Sequence, residues 1–276
     1  MRLTLGFSPC PNDTFIFYAM IHGKVDTEGL EFKVLLADVE ELNQRAFAND
    51  LNITKLSYHA YAYLLQQYVL LDSGSALGNN CGPLLIAKKD YTAEQLEQAI
   101  IAIPGKYTTA NFLFRLAYPK VEHTKELLFS EIEAAILKEE VEAGVIIHEN
   151  RFTYQDKGLI KIQDLGEFWE SKYQMPIPLG GIVAQRSLPK EIVQKVNRVL
   201  QKSVAYAFEH PDEVMPYVRQ YAQEMEEAVM KQHIDLYVNN YTLNLGTKGK
   251  SAINTLFEVA EKQEIIPSRK EVNIFL

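Results

Sequence analysis

The sequence predicts an α/β fold with mostly parallel strands, arranged as two lobes with a ligand cleft between them. Short apolar runs of strand length alternate with segments of helical spacing from the N-terminus to Gln185, and this alternation is typical of α/β proteins. Three of these runs stop at hydroxyl residues that can begin a helix. A last strand after Gly180 is expected to return to the first sheet, because the first lobe would otherwise be incomplete. Two chain crossings between the lobes would then allow closure around a small ligand.

Composition places the chain among globular proteins and argues against several kinds of partner. The 276 residues are 47% hydrophobic and 23% charged, which suits one large or two medium domains. The formal net charge is −8 and the pI is about 5.4, so we expect no nucleic-acid or membrane surface. The start of the chain breaks into prolines and lacks a long apolar run, which predicts a cytoplasmic protein without an export signal. Cys10 and Cys81 lack metal-ligand spacing, and we expect no metal and no organic cofactor.

The first lobe is predicted from residues 1–88 together with 178–276, and the second lobe from residues 89–177. Hydrophobic alternation predicts strands at residues 3–7, 30–36, 52–57, 83–87, 99–103, 144–147, 158–165 and 182–185. Helical spacing and capping residues predict helices at residues 15–21, 38–48 and 91–98, and after positions 57, 110 and 130. Residues 176–181 are interpreted as a hinge-like segment, and everything from Leu188 onward as helical.

His148 is the candidate general base. It follows the run Gly144-Val-Ile-Ile, whose β-branched residues predict a buried strand. Ligands of open α/β sheets bind at the carboxyl ends of strands, and an imidazole titrates near neutral pH. The alternative is a surface histidine that is satisfied by water or by Glu149. This stretch alone favours the alternative, and the motifs elsewhere in the chain shift the balance toward a base.

Two predicted strand-to-helix junctions are candidates for carboxylate binding. Lys55, Leu56 and Ser57 form one junction, and Thr109 and Ala110 form the other. A helix N-terminus presents N–H groups and a partial positive charge, worth roughly 0.3–1 kcal/mol to an anion. The alternative is that Ser57 and Thr109 merely cap their helices. One junction on each lobe, with His148 between them, predicts a cleft that binds a small-molecule carboxylate.

The turn at residues 8–14 is a further candidate for ligand contact. Its Asn12 or Asp13 is predicted to touch the ligand, and the alternative is a rigid turn held by prolines. Cys10 would need an adjacent base to act as a nucleophile, and the sequence establishes none. Neither a zinc-binding helix nor a phosphate-binding loop is complete in this chain. The other histidines are expected to be structural or exposed: His22, His59, His123, His210 and His233.

Taken together, these motifs resemble the 1,4-dihydroxy-6-naphthoate synthase family of the futalosine route to menaquinone. The resemblance extends from the N-terminus to about Gln185. It is carried by Ser8-Pro-Cys-Pro-Asn-Asp-Thr14, Lys55-Leu-Ser57, Gly82-Pro-Leu, Pro104-Gly with Thr108-Thr-Ala110, and Gly144-Val-Ile-Ile-His148-Glu149. The family's motif positions show no departure in this chain.

The resemblance implies a type II periplasmic-binding-protein-like fold that works as an enzyme. It implies that cyclic dehypoxanthine futalosine is cleaved to 1,4-dihydroxy-6-naphthoate, with loss of a sugar-derived fragment as dihydroxyacetone. It also implies that His148 is the proton acceptor, and that Lys55, Leu56, Ser57, Thr109 and Ala110 bind substrate. Two alternatives remain: a non-catalytic solute-binding protein for a small carboxylate, and the sister enzyme chorismate dehydratase.

Overall fold

The computed structural model describes residues 1–222, 226–269 and 272–276. Its strands are β1 Arg2–Phe7, β2 Glu31–Leu36, β3 Ile53–Ser57, β4 Tyr68–Leu70, β5 Ala76–Gly78, β6 Leu84–Ala87, β7 Ile101–Ile103, β8 Thr124–Glu126, β9 Ala143–Ile146, β10 Ile160–Asp164 and β11 Ile177–Gln185. Its helices are α1 Pro11–Ile21, α2 Val39–Phe47, α3 Tyr58–Tyr63, α4 Ala93–Glu97, α5 Thr109–Ala117, α6 Ile132–Leu137, α7 Asn150–Thr153, α8 Leu165–Tyr173, α9 Lys190–Glu209, α10 Pro211–Tyr221, α11 Glu227–Tyr237, α12 Asn240–Leu243 and α13 Gly246–Lys262.

The chain divides into two compact units. Unit 1 comprises Met1–Gly78 and Pro178–Leu276, and unit 2 comprises Asn79–Ile177. The first division therefore lies earlier in the chain than the expected position near residue 88. Strand β6, which the sequence analysis assigned to the first lobe, pairs with β9 and β10 in the sheet of unit 2. The strand was identified correctly, but its periodicity does not reveal which sheet it joins.

The sheet of unit 1 is mixed. Its strand order is β2-β1-β3-β11-β4, with β5 beside β11. Strand β1 is parallel to β2 and β3, whereas β11 is antiparallel to β3 and β4. The expected return of the last strand to the first sheet is confirmed, but the expectation of mostly parallel strands is wrong. Residues 176–181 mostly belong to β11, because this strand begins at Ile177, and so the predicted hinge-like segment is largely strand.

Helices α1, α9, α10 and α11 provide the main apolar core of unit 1 against this sheet. Buried residues of α9 recur every three or four positions, as expected for a helix with one apolar face; they are Val193, Val196, Leu200, Val204 and Ala207. Helix α1 starts with Pro11, whose fixed φ suits the first helical turn. This packing fixes the start of α1 next to the end of β1.

The sheet of unit 2 has the order β10-β6-β9-β7-β8. Strand β7 is parallel to β8 and β9, and β6 is antiparallel to β9 and β10. Its core includes Ile86, Ala102, Ile132, Ile136 and Ile146. Because β7 and β9 are parallel neighbours, their carboxyl ends lie at the same edge of the sheet. The segments that lead to Thr109 and His148 begin at this edge.

The end of the chain differs from the helical expectation. The last helix, α13, ends at Lys262, and the residues after it include an extended segment beside β4. The N–H of Leu70 donates to the carbonyl of Ile274 at 3.0 Å, and the N–H of Leu276 donates to the carbonyl of Leu70 at 3.0 Å. Within the described ranges, no helix combines the length and the apolar character needed to cross a membrane.

Candidate functional site

The turn between β1 and α1 is closed by Asp13. The carboxylate of Asp13 accepts hydrogen bonds from the Ser8 N–H at 3.1 Å and from the Ser8 hydroxyl at 2.8 Å. Helix α1 starts in the same turn, where the N–H of Thr14 donates to the carbonyl of Cys10 at 3.0 Å. An acidic residue in the first turn of a helix also interacts favourably with the helix dipole. These hydrogen bonds close the turn and fix a buried carboxylate at the start of α1.

Lys55 forms a buried ion pair with that carboxylate. The distance between Lys55 Nζ and Asp13 Oδ1 is 2.6 Å, and the two side chains are 7% and 1% exposed. Strands β1 and β3 are parallel neighbours, with Gly6 opposite Thr54, so Lys55 lies next to the end of β1. An ammonium group has three N–H donors. Asp13 occupies one of them, which leaves donors suited to a second anion.

Asn12 joins this pair to a distant histidine. Its side-chain amide donates to Asp13 Oδ1 at 2.8 Å, and its oxygen lies 2.9 Å from His233 Nε2. His233 is on α11 and is only 1% exposed. His233 was expected to be structural or exposed. It is buried, and Asn12 is its hydrogen-bond partner. Both polar atoms of Asn12 have partners within unit 1, and the predicted contact between Asn12 and substrate stays a prediction.

Ser57 ends β3 and is held from α2. Its N–H donates to Asn43 Oδ1 at 3.1 Å, and the amide of Asn43 donates to the Ser57 hydroxyl at 3.2 Å. Ser57 occupies the N-cap position of α3, but its side chain makes no capping hydrogen bond to this helix. Asn43 is fully buried, and the sequence analysis did not identify it.

Opposite Ser57, Gly180 allows β11 to approach closely. The two residues are partners in the antiparallel register of β3 and β11. A Cβ atom at Gly180 would lie 2.7 Å from the Leu56 carbonyl oxygen and 3.1 Å from Lys55 Cε. The glycine therefore leaves room for the backbone and side chain of the Lys55-Leu56-Ser57 segment.

In unit 2, Thr109 and Ala110 are the first residues of α5. The cap of this helix is Thr108, whose hydroxyl accepts from the Asn111 N–H at 3.2 Å and donates to the Gly105 carbonyl at 2.8 Å. The capping alternative for Thr109 is therefore wrong, because Thr108 is the cap. Thr109 and Ala110 lie in the first turn, where backbone N–H groups have no intrahelical acceptor and the dipole favours an anion.

His148 lies just beyond the end of β9. Its φ is 59°, in the left-handed region, which is uncommon for a residue with a side chain and is found at functional sites when neighbouring contacts enforce it. The imidazole is partly exposed and meets the edge of the Phe129 ring, with centroids 4.8 Å apart at 69°. The adjacent Glu149 is buried. The backbone therefore directs the His148 ring away from the course of the strand.

The residues after His148 are anchored by two buried carboxylates. The Asn150 amide donates to Glu133. The Arg151 guanidinium donates to Asp164 Oδ2 at 2.7 Å and to the Gly82 carbonyl. These contacts join the segment to α6, to the end of β10 and to the chain before β6. None of these contacts was predicted, although Gly82-Pro-Leu and the His148 motif were both singled out in the sequence.

Comparisons with known proteins agree on one family. The profile described as menaquinone biosynthesis matches residues 3–262. A relative from Thermus thermophilus, named 1,4-dihydroxy-6-naphthoate synthase, is 45% identical over 259 residues, which is 94% of each chain. A relative of the same name from Streptomyces coelicolor is 40% identical over 271 residues, which cover 96% of this chain and 95% of that protein.

Solved structures extend the comparison to the fold. A crystal structure of a protein from Archaeoglobus fulgidus has a TM-score of 0.91 at 38% identity, and the match covers 96% of this chain and 98% of that one. The alkanesulfonate-binding protein SsuA from Xanthomonas axonopodis pv. citri has a TM-score of 0.73 at 13% identity, covering 99% and 96%. The second likeness shows the fold alone, which is that of periplasmic binding proteins. The chain belongs to the menaquinone biosynthesis family, in which its named relatives are 1,4-dihydroxy-6-naphthoate synthases.

Proposed function

We propose that this protein is a carbon–carbon lyase that converts cyclic dehypoxanthine futalosine to 1,4-dihydroxy-6-naphthoate and dihydroxyacetone. The observation that carries the proposal is the 45% identity to a named 1,4-dihydroxy-6-naphthoate synthase over 94% of both chains. The motif positions singled out in the sequence are intact in this chain. Since the relatives are named as biosynthetic enzymes, we also propose that the protein works in the cytoplasm.

We assign Lys55, Leu56 and Ser57 of unit 1 to the substrate carboxylate, and we also assign Thr109 and Ala110 of unit 2 to substrate binding. The buried Lys55 ammonium, held by Asp13 at 2.6 Å, supports this assignment because a charge-assisted hydrogen bond to a carboxylate is strong in a poorly solvated place. The first turn of α5 supplies N–H groups and a favourable dipole. We assign Asn12 two roles: it donates to the Asp13 carboxylate that pairs with Lys55, and it contacts the substrate.

His148 is assigned the role of proton acceptor. Removal of a proton from the substrate would start a retro-aldol-type release of the three-carbon fragment, and aromatisation of the new ring would drive the release forward. A positioned base typically contributes about 10²–10⁴-fold. The left-handed backbone of His148 and the Phe129 ring at its side hold the imidazole in one direction. The remaining acceleration is assigned to orientation of the bound substrate.

The reaction is redox-neutral, since one carbon–carbon bond breaks and a proton moves. The reaction therefore needs no oxidant or reductant. With His148 assigned as the base, we expect turnover without an added metal ion or organic cofactor. The purified protein is incubated with cyclic dehypoxanthine futalosine, with and without a chelator, and the products are measured by mass spectrometry. We expect 1,4-dihydroxy-6-naphthoate in both samples.

The matched variant is His148→Ala. We expect it to keep the circular dichroism spectrum of the wild type and to lose nearly all turnover. Near-normal turnover in this variant would remove His148 from the role of base. Substrate that binds and is returned unchanged by the wild type would instead favour a solute-binding protein, and dehydration of chorismate would favour the sister enzyme.

A further inference from the structure

A histidine far along the chain is connected to the candidate substrate-binding lysine. We propose that His233 of α11 is a positioning residue for Lys55, acting through Asn12 and Asp13. The inference deepens the proposed function, because it rests on Lys55 as a ligand of the substrate carboxylate. All four side chains belong to unit 1 and each is at least nine-tenths buried.

The hydrogen bonds of this network fix one another. Asp13 accepts from Lys55 through Oδ1 and from Ser8 through Oδ2, so both of its oxygens act as acceptors. The Asn12 group that faces Asp13 must therefore be the NH₂ donor, at 2.8 Å. The Asn12 oxygen then faces His233, and Nε2 of His233 must carry the proton that it donates across 2.9 Å. The orientation of the amide is thus set from both ends.

His233 secures the orientation that Asp13 needs. Without a donor at Nε2, the Asn12 oxygen would be buried and unpaired in a poorly solvated place, which favours displacement of the Asn12 side chain. A displaced Asn12 would withdraw its N–H donor from Asp13, and the carboxylate and the Lys55 ammonium bound to it would shift. A shift of this kind changes carboxylate binding without removing any group that contacts substrate.

The kinetic effect should fall on substrate binding. The Lys55 ammonium donates a hydrogen bond to a carboxylate that keeps its charge throughout the reaction, so its contribution is nearly equal in the ground state and the transition state. Loss of such uniform binding raises KM and leaves kcat nearly unchanged. A merely structural histidine would change the stability of the protein and the amount that folds, but not the KM of the folded fraction.

Two variants at the same position separate these effects. His233→Phe keeps a ring that can pack against Tyr237, whose ring centroid is 4.6 Å away, but it removes the donor. His233→Gln can supply an amide N–H near the position of Nε2. We expect KM to rise about tenfold in His233→Phe with kcat within about twofold, and we expect His233→Gln to restore most of the KM. His22→Phe is the matched control, since His22 is exposed at the end of α1, and it should keep the wild-type KM.

A double-mutant cycle tests the route through the lysine. His233→Phe should raise KM much less when Lys55 is already methionine, because the ammonium that it positions is absent. An unchanged KM in His233→Phe, no recovery in His233→Gln, or full additivity with Lys55→Met would overturn the inference. Failure of the wild type to form dihydroxynaphthoate would overturn the proposed function instead. If the protein folds with neither phenylalanine nor glutamine at position 233, Asn12→Leu provides the test. Its binding of the dihydroxynaphthoate product is compared with its binding of the uncharged carboxamide of that product. The network predicts a larger loss of affinity for the carboxylate, and an equal loss for both ligands would refute it.

Discussion

Replacement of Asp13 by asparagine should destabilise unit 1 strongly, because it leaves the Lys55 ammonium buried without a counter-charge. At the observed 2.6 Å, and with an effective dielectric constant near 20, the attraction that is lost amounts to about 6 kcal/mol. The amide oxygen introduced by the substitution can still accept a hydrogen bond from the ammonium, which limits the damage. The expected loss is therefore about 3–5 kcal/mol, as for other buried pairs broken on one side.

The assay is urea unfolding at pH 7, followed by circular dichroism at a helical wavelength. Helices α9 to α13 belong to unit 1, so this signal mainly reports the unit that contains Asp13. The indole of Trp169 is fully buried in unit 2 and gives a separate fluorescence signal. With a denaturant slope of about 2 kcal/mol per molar urea, the dichroism midpoint should fall by about 1.5–2.5 M.

An exposed ion pair with the same distance between nitrogen and oxygen provides the control. Lys24 Nζ and Glu213 Oε1 are also 2.6 Å apart, but their side chains are 40% and 38% exposed. Glu213→Gln makes the same chemical change as Asp13→Asn and should leave the midpoint near that of the wild type. Equal midpoints for Asp13→Asn and Glu213→Gln would refute the argument that burial makes the Asp13–Lys55 pair important. The double variant Asp13→Leu/Lys55→Met should recover much of the lost stability, because it leaves no unpaired charge.

Two further predictions concern packing and acid stability. Gly144→Ala places a Cβ 2.4 Å from Cγ2 of Ile132. It should lower the free energy of unfolding by about 1–3 kcal/mol when unfolding is followed by Trp169 fluorescence. An unchanged midpoint would show that Ile132 moves aside freely. Hydrogen bonding to Arg198 lowers the pKa of Glu28 from 4.5 to about 2. Because the folded-state pKa is depressed, the stabilisation by Glu28 is present above pH 4.5 and is lost as the pH falls toward 2. In Glu28→Gln the melting temperature should depend less on pH over that range. A pH dependence equal to that of the wild type would contradict the assignment.

Local sequence signals predicted most of the individual elements. Strands with clear alternation or long apolar runs, such as β1, β3 and β9, were found near their observed positions. The three-residue strands β4, β5 and β8 were missed because so short a segment has no measurable period. The equally short β7 was found because it lies in the longer apolar run 99–103. The mixed direction of the sheets was also missed. Strand direction depends on where the chain re-enters a sheet, and hydrophobic spacing along one strand does not contain that information.

Candidate site residues could be named one by one from the sequence, but the hydrogen-bond network around them could not. Lys55, Ser57, Thr109 and His148 stand at strand ends or helix starts, where general rules of α/β proteins direct attention. His233 was dismissed because nothing in its local sequence indicates Asn12, which is 221 positions away. Contacts of this length arise only from the packing of α11 on α1, and a single sequence without related sequences gives no sign of them.

Unit 1 is built from two separate segments of the chain, and this has a consequence for protein synthesis. Unit 2 is one continuous segment, and strands β6 to β10 of its sheet all precede β11 in the chain. They therefore emerge from the ribosome before β11 does. Strand β11 lies between β3 and β4, and until it emerges these two early strands lack the neighbour that joins them. Unpaired strand edges in a nascent chain are open to wrong partners. Asp13 and Lys55 are translated well before α11, the helix that completes their hydrogen-bond network. Until β11 and α11 have emerged, the sheet of unit 1 is incomplete and its buried ion pair lacks part of its support.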